Sequence, residues 1–163
     1  MGCTPAMKLS PDESTQFASA VRTAATQPVR DAVDNVYRAL QDAIDLRQPI
    51  CTSSGRCCRF EEYGHRLFIT TMEMAAFISQ VDRPLQPPDW NHKGCPFQLN
   101  GLCSVHPIRP FGCRIFFCDE SSHSWQAEQY ERLHAELKRL HAQLDVPYFY
   151  IEWRQALAAL SLA

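Results

Sequence analysis

Eight cysteines stand in the 163-residue chain, and seven of them fall between Cys51 and Cys118. The pattern is Cys51-x5-Cys57-Cys58, then 36 intervening residues, then Cys95-x7-Cys103-x9-Cys113-x4-Cys118. Ionised thiols at this density repel one another unless a cation compensates them. Four thiolates suit a tetrahedral zinc ion, or a [4Fe–4S] cluster with one thiolate at each iron. Seven exceed one mononuclear site, so the segment holds two centres, or one centre with spare thiols. Disulfides are the competing use, and eight cysteines would permit 105 pairings. In a reducing compartment, clustered cysteines are more often metal-binding or catalytic than disulfide-bonded.

The compartment is therefore the next question. The start, MGCTPAMKLSPDESTQF, has neither the basic region nor the apolar run of a secretory signal. Gly2 follows Met1, but Ala6 stands where an acylation site needs Ser or Thr. The expectation is a cytoplasmic protein with a disordered lead over residues 1–9, which leaves Cys3 outside the cluster. No uncharged apolar run approaches the ~20 residues of a membrane span. A net charge of −2 gives no electrostatic reason to expect nucleic acid or an acidic membrane surface. The expected partners are a metal ion or cluster, with a protein substrate or partner in addition.

Residues 10–163 read as a single domain in three parts. In the first, 10–50, Ser10-Pro11-Asp12-Glu13 forms a capping box and opens a helix to about Ala25. Val29, Val33, Val36, Leu40 and Ile44 then form the apolar stripe of a second helix, over about 28–46. In the second part, 51–118, Arg66–Thr70 reads as a short strand, and Thr70 with Glu73 caps a helix to about Gln80. Cys95–Leu99 and Leu102–Val105 flank Asn100-Gly101, a type I′ hairpin signal. Arg109-Pro110 begins a turn or short helix carrying Cys113. In the third part, 119–163, Tyr130, Leu133, Leu137, Leu140 and Leu144 mark a helix over about 124–144. The closing YFYIEWRQALAAL reads as one more packed helix. The fold class is mainly α with a small β hairpin, and a cysteine-rich metal-binding core lies between flanking helices.

Seven candidate metal ligands follow: Cys51, Cys57, Cys58, Cys95, Cys103, Cys113 and Cys118. Cys95, Cys103, Cys113 and Cys118 form the most compact set of four in sequence, with Cys51, Cys57 and Cys58 as the other source of ligands. In extended chain, Cys57 and Cys58 would point to opposite sides, so one of them could serve as a small core residue instead. Arg109 and Arg114 bracket Cys113 and are candidates to hydrogen-bond sulfur from behind the ligands. Arg56 and Arg59 fit ordinary surface ion pairs equally well. His134 and His141 read as helix-packing residues rather than ligands. No histidine sits at zinc-finger spacing, and His106, three residues after Cys103, is the nearest candidate.

The segments CTSSGRCCRF, ITTMEMAAF and CPFQLNGLCSVHPIRPFGCRIFFC, in this order, resemble the YkgJ-like cysteine-cluster family, described as zinc- or iron-chelating. The resemblance covers about residues 51–118, and CSVHPIRPFGCR is its most specific stretch. The tail HAELKRLHAQLDVPYFYIEW is also similar to members. The family's first motif is C-x2-C-x2-C-C; here Ser54 replaces the second cysteine, which removes one of the usual eight ligands. The family includes the flagellin lysine N-methylases, associated with an iron–sulfur cluster.

The resemblance thus implies a metal-binding protein, with [4Fe–4S] favoured over zinc. A protein-modifying methyltransferase and a metal carrier or thiol-redox protein are the alternatives. Against a methyltransferase, the chain has no glycine-rich dinucleotide-type loop and little room for a separate cofactor domain. Against a carrier, the cysteines lie among phenylalanines, which predicts burial.

Overall fold

The computed structural model describes residues 9–161. Residues 1–8, and with them Cys3 and nearly all of the expected lead, lie outside the described residues.

Ser10 caps α1 (Pro11–Ala24): its hydroxyl accepts from the Glu13 amide at 3.2 Å, and the Glu13 carboxylate accepts from the Ser10 amide at 2.8 Å. α1 buries Phe17, Ala18, Ala20, Val21 and Ala24. α2 (Gln27–Arg47) buries Val29, Val33, Val36 and Leu40, the stripe expected from their spacing. It ends at Gln48 in the left-handed region, φ 51°, just before Pro49.

Strand β1 (Phe68–Thr70) runs directly into α3 (Thr71–Ile78), which is capped by Thr70 and Glu73 as expected. α3 packs against both α1 and α2. Its residues Thr71–Phe77 are all buried, so it is the hub of the core. Removing a fully buried side chain such as Leu40 to alanine costs about 2–5 kcal/mol in cores of this kind.

β2 (Gln98–Leu99) and β3 (Leu102–Cys103) form the expected hairpin, with Asn100 and Gly101 both at positive φ. α4 (Phe111–Ile115) carries Cys113, and α5 (His123–Gln143) lies along α2. The chain closes with β4 (Tyr150–Glu152) and α6 (Trp153–Ser161).

Among the described residues the architecture is mainly α with two small antiparallel pairs. The closing segment departs from the sequence expectation in its third to fifth residues, Tyr150–Glu152, which form a strand. β4 pairs with β1, more than 80 residues away, with Ile69 opposite Ile151. Three residues give too little alternation to reveal a strand whose partner is that remote. Among the described residues no helix is long and apolar enough to cross a membrane.

Candidate metal centre

Four pieces of chain bring the thiols together. The first is the loop after α2, which turns at Ser53 and Gly55 into a short 3-10 turn, Arg56–Cys58. Gly55 has φ 69°, and a Cβ there would stand 2.3 Å from the Gly101 carbonyl oxygen, so the loop can touch the hairpin only with glycine. The Gln98 amide clips the two together, donating to the carbonyls of Gly55 and Gly101 at 3.1 Å each. The second piece is the loop leading into β2, where the Cys95 amide donates to the Cys58 carbonyl at 2.7 Å. A Cβ on Gly94 would lie 2.6 Å from that same oxygen. The hairpin itself returns Cys103 opposite Gln98. The fourth piece is α4. Its first amide, of Phe111, donates to the buried Glu73 carboxylate at 3.0 Å, which ties Cys113 to the core.

The 3-10 turn corrects the expectation that Cys57 and Cys58 diverge. The chain is not extended there, and the two thiols interact. Cys58 is the centre of the group, close enough to Cys103, Cys57 and Cys95 that its ionisation and theirs are linked. Its own ionisation is strongly opposed by these three neighbours and by burial. They respond in the opposite sense. Hydrogen bonding from Cys58 lowers Cys57 to about 7 and Cys103 to about 6, and lowers Cys95 as well. Cys113 is pushed up, first by burial and then by repulsion from Cys95, Cys57 and Cys103. A protonated thiol among sulfurs that tend towards thiolate is an arrangement in which a thiophilic cation can replace the proton.

A chamber of about 270 Å³ adjoins this group. Five cysteines line it: Cys51, Cys57, Cys58, Cys103 and Cys118. Cys51 is exposed, Cys58 and Cys95 are buried, and the other four are half-buried, so the expected burial holds for only part of the set. The Ser54 hydroxyl lies 3.4 Å from the Cys118 sulfur, in hydrogen-bonding contact. The closest group of four is thus Cys57, Cys58, Cys95 and Cys103, with Cys113 near it, rather than Cys95, Cys103, Cys113 and Cys118. Sequence proximity misleads because Cys118 leaves α4 towards Ser54, while Cys58 is hydrogen-bonded through its backbone to Cys95.

The two arginines around Cys113 differ in role. Arg109 favours the thiolate forms of Cys57, Cys103 and Cys113, and its guanidinium contacts the His106 ring. Arg114 instead donates to the carbonyls of Arg109 (2.8 Å) and Pro107 (2.7 Å) and lies over the Tyr37 ring at 4.2 Å. It holds the loop. Arg56 lies over Tyr63, and Arg59 is paired with Glu62 while donating to the Ser54 carbonyl. His141 is buried with both ring nitrogens bonded, to the Met72 amide and the Leu137 carbonyl, and His134 meets the Tyr148 hydroxyl. Both are packing residues, as expected.

Sequence reasoning missed Trp153 and His65. The buried Trp153 indole N–H has no hydrogen-bond partner of good geometry, yet it favours the Cys95 thiolate. A donor left in that position suits an anionic sulfur. His65 places Nε2 3.3 Å from the Cys57 carbonyl, which can only accept; Nε2 therefore carries the proton and Nδ1 is a buried lone pair without a partner. Neither residue has a local sequence signal, because each meets its cysteine only through the fold.

Among the described residues, no three His, Cys, Asp or Glu side chains already stand in a geometry that would hold a metal ion. Comparison with known families, with curated proteins and with solved structures finds no match.

Proposed function

We propose that this is a metal-binding protein whose clustered thiolates hold an iron–sulfur cluster, [4Fe–4S] in preference to zinc. One observation carries the reading: four cysteines from three separate stretches of chain are gathered in one place, Cys57, Cys58 and Cys103 lining one chamber and Cys95 joined to Cys58 by a 2.7 Å backbone hydrogen bond. Structural packing alone gives no reason to gather ionisable sulfurs in this way, since each added thiolate raises the cost of the next. The donor set also fits the group. Cys57, Cys58, Cys95 and Cys103 would supply the four thiolates, Arg109 would offset their charge, and Trp153 would donate to the Cys95 sulfur.

Iron–sulfur is favoured over zinc because thiols remain beyond the four, and because no histidine sits at zinc-finger spacing; His106, three residues after Cys103, is engaged by Arg109. The resemblance to the flagellin lysine N-methylases within the YkgJ-like family favours the same class of centre. An iron–sulfur cluster would bring electron transfer or sensing; zinc would be structural, having no redox chemistry. Anaerobic purification, an absorption spectrum and elemental analysis test this. Iron and sulfide with a broad visible band support the proposal. Stoichiometric zinc without colour would replace the cluster by a structural site, and absence of both metals would overturn metal binding.

A further inference from the structure

Cys51 and Cys118 lie outside the four thiols assigned to the metal, yet both line the cysteine chamber. Cys51 follows α2 and Cys118 follows α4, so they are remote in sequence. Three contacts lay their two segments side by side. The Arg47 guanidinium donates to the Ser121 carbonyl at 3.0 Å, and the Ile50 amide donates to the Asp119 carboxylate at 3.3 Å. The Ser54 hydroxyl lies 3.4 Å from the Cys118 sulfur. The segments run in opposite chain directions, and Cys51 stands between the second contact and the third. Ile50 before it and Ser54 after it therefore touch Asp119 and Cys118 in turn. Cys113 is on neither segment; it sits within α4 and lines a separate cavity.

The two thiols differ in access. Cys51 is exposed and Cys118 is half-buried. Access selects the thiol that meets an external reagent first, which is Cys51. The second requirement is approach, since a disulfide needs the two Cα atoms within about 7 Å of one another. Among the described residues, no backbone–backbone hydrogen bond involves residues 51–54. The segment can therefore carry Cys51 over Cys118 without dismantling a helix or strand. Cys58 and Cys95 have no such freedom, being buried and tied by their backbone bond.

We propose that Cys51 and Cys118 form a thiol–disulfide exchange site, oxidised reversibly by a small disulfide of the glutathione class. The Cys51 thiolate attacks one sulfur of the reagent, whose S–S bond breaks, and one glutathione leaves as its thiolate. The Cys118 thiolate then attacks the Cys51 sulfur, the mixed disulfide breaks, and the second glutathione leaves as the Cys51–Cys118 bond forms. The protein gives up two electrons and two protons, and the reagent takes them up as two thiols. The closed pair staples the segment after α2 to the segment after α4 at the chamber. The proposal goes beyond the metal reading and rests on it only for which thiols are spare. A thiol introduced at Ser54 would compete with Cys51 for Cys118.

The test uses the full chain as purified anaerobically. It is equilibrated in glutathione buffers of rising disulfide content, quenched in acid, alkylated and mapped by mass spectrometry. A Cys51–Cys118 linked peptide should appear in a single two-electron transition, with loss of two free thiols per chain and unchanged metal content. Cys51→Ser and Cys118→Ser should each abolish the link while keeping wild-type metal and helical content. Cys118→Ser should also accumulate the glutathione adduct at Cys51. The proposal is overturned if the most oxidising buffer yields no such link, if another pair forms in its place, or if either serine variant stays folded but loses metal. The two readings fail separately: metal without the link refutes this one alone, and the link in a chain that binds no metal refutes the other alone.

Discussion

The backbone amide of Cys95 donates to the carbonyl of Cys58 at 2.7 Å, and this bond joins the loop after α2 to the loop leading into the hairpin. The two cysteines are far apart in sequence, yet their thiols also interact. The close approach depends on Gly94, where a side chain would collide with the Cys58 oxygen. Backbone, rather than side-chain packing, therefore sets the spacing of the two buried sulfurs.

Gly94→Ala should separate these loops. The added methyl must displace backbone, at a cost of about 1–3 kcal/mol. Metal content per chain should fall along with the melting temperature. A variant of unchanged stability and unchanged metal content would show that the approach is not needed.

Glu73 connects the core to the cluster. It is buried, and accepts from the Thr70 amide and hydroxyl, the Phe111 amide and the Tyr37 hydroxyl. Burial raises its pKa, in partial opposition to these donors. Glu73→Ala leaves several buried donors without an acceptor and should destabilise the fold by about 3 kcal/mol or more. Chemical denaturation measures this. A loss below about 1 kcal/mol would mean that water replaces the carboxylate.

Much of this was legible from the chain. The capping boxes at Ser10 and Thr70, the apolar stripe of α2 and the Asn100-Gly101 turn are local signals, and each appears where its residues place it. The thiol-bearing segment was legible as well, from cysteine density alone. The grouping of thiols within it was not. Cys58 meets Cys95 only because Gly94 permits a long-range backbone bond, and no spacing rule encodes that. β4 escaped for a similar reason, since its partner β1 lies about 80 residues earlier in the chain.

His141 should make the fold sensitive to acid. Its Nε2 accepts from the Met72 amide and its Nδ1–H donates to the Leu137 carbonyl, so the neutral ring is the form that fits. Burial lowers its pKa below the ordinary imidazole value of about 6.5. The unfolded chain therefore takes up the proton first. The contribution is complete above the unfolded pKa and is lost as pH falls below about 6.5 towards the folded value. Melting temperature should drop between pH 7 and pH 5, and His141→Leu should flatten that part of the profile while costing about 1–3 kcal/mol at pH 7. An equally steep profile in the variant would assign the acid sensitivity to other groups.

Ser54 stands 3.4 Å from the Cys118 sulfur, close enough for a thiol in its place to react. Ser54→Cys should add a sulfur to the chamber, and under oxidising, metal-free conditions the new thiol should pair with Cys118. Peptide mapping by mass spectrometry reads the pairing. Exclusive pairing with any other cysteine would place Ser54 elsewhere.

The central position of Cys58 is tested most directly by metal stoichiometry. Wild type and Cys58→Ser are purified anaerobically side by side, and iron, sulfide and zinc are measured per chain together with helical content. Cys58 meets three other thiols, so its loss should remove most of the bound metal while the helices remain. A folded Cys58→Ser protein that retains wild-type metal would contradict a centre built around this thiol.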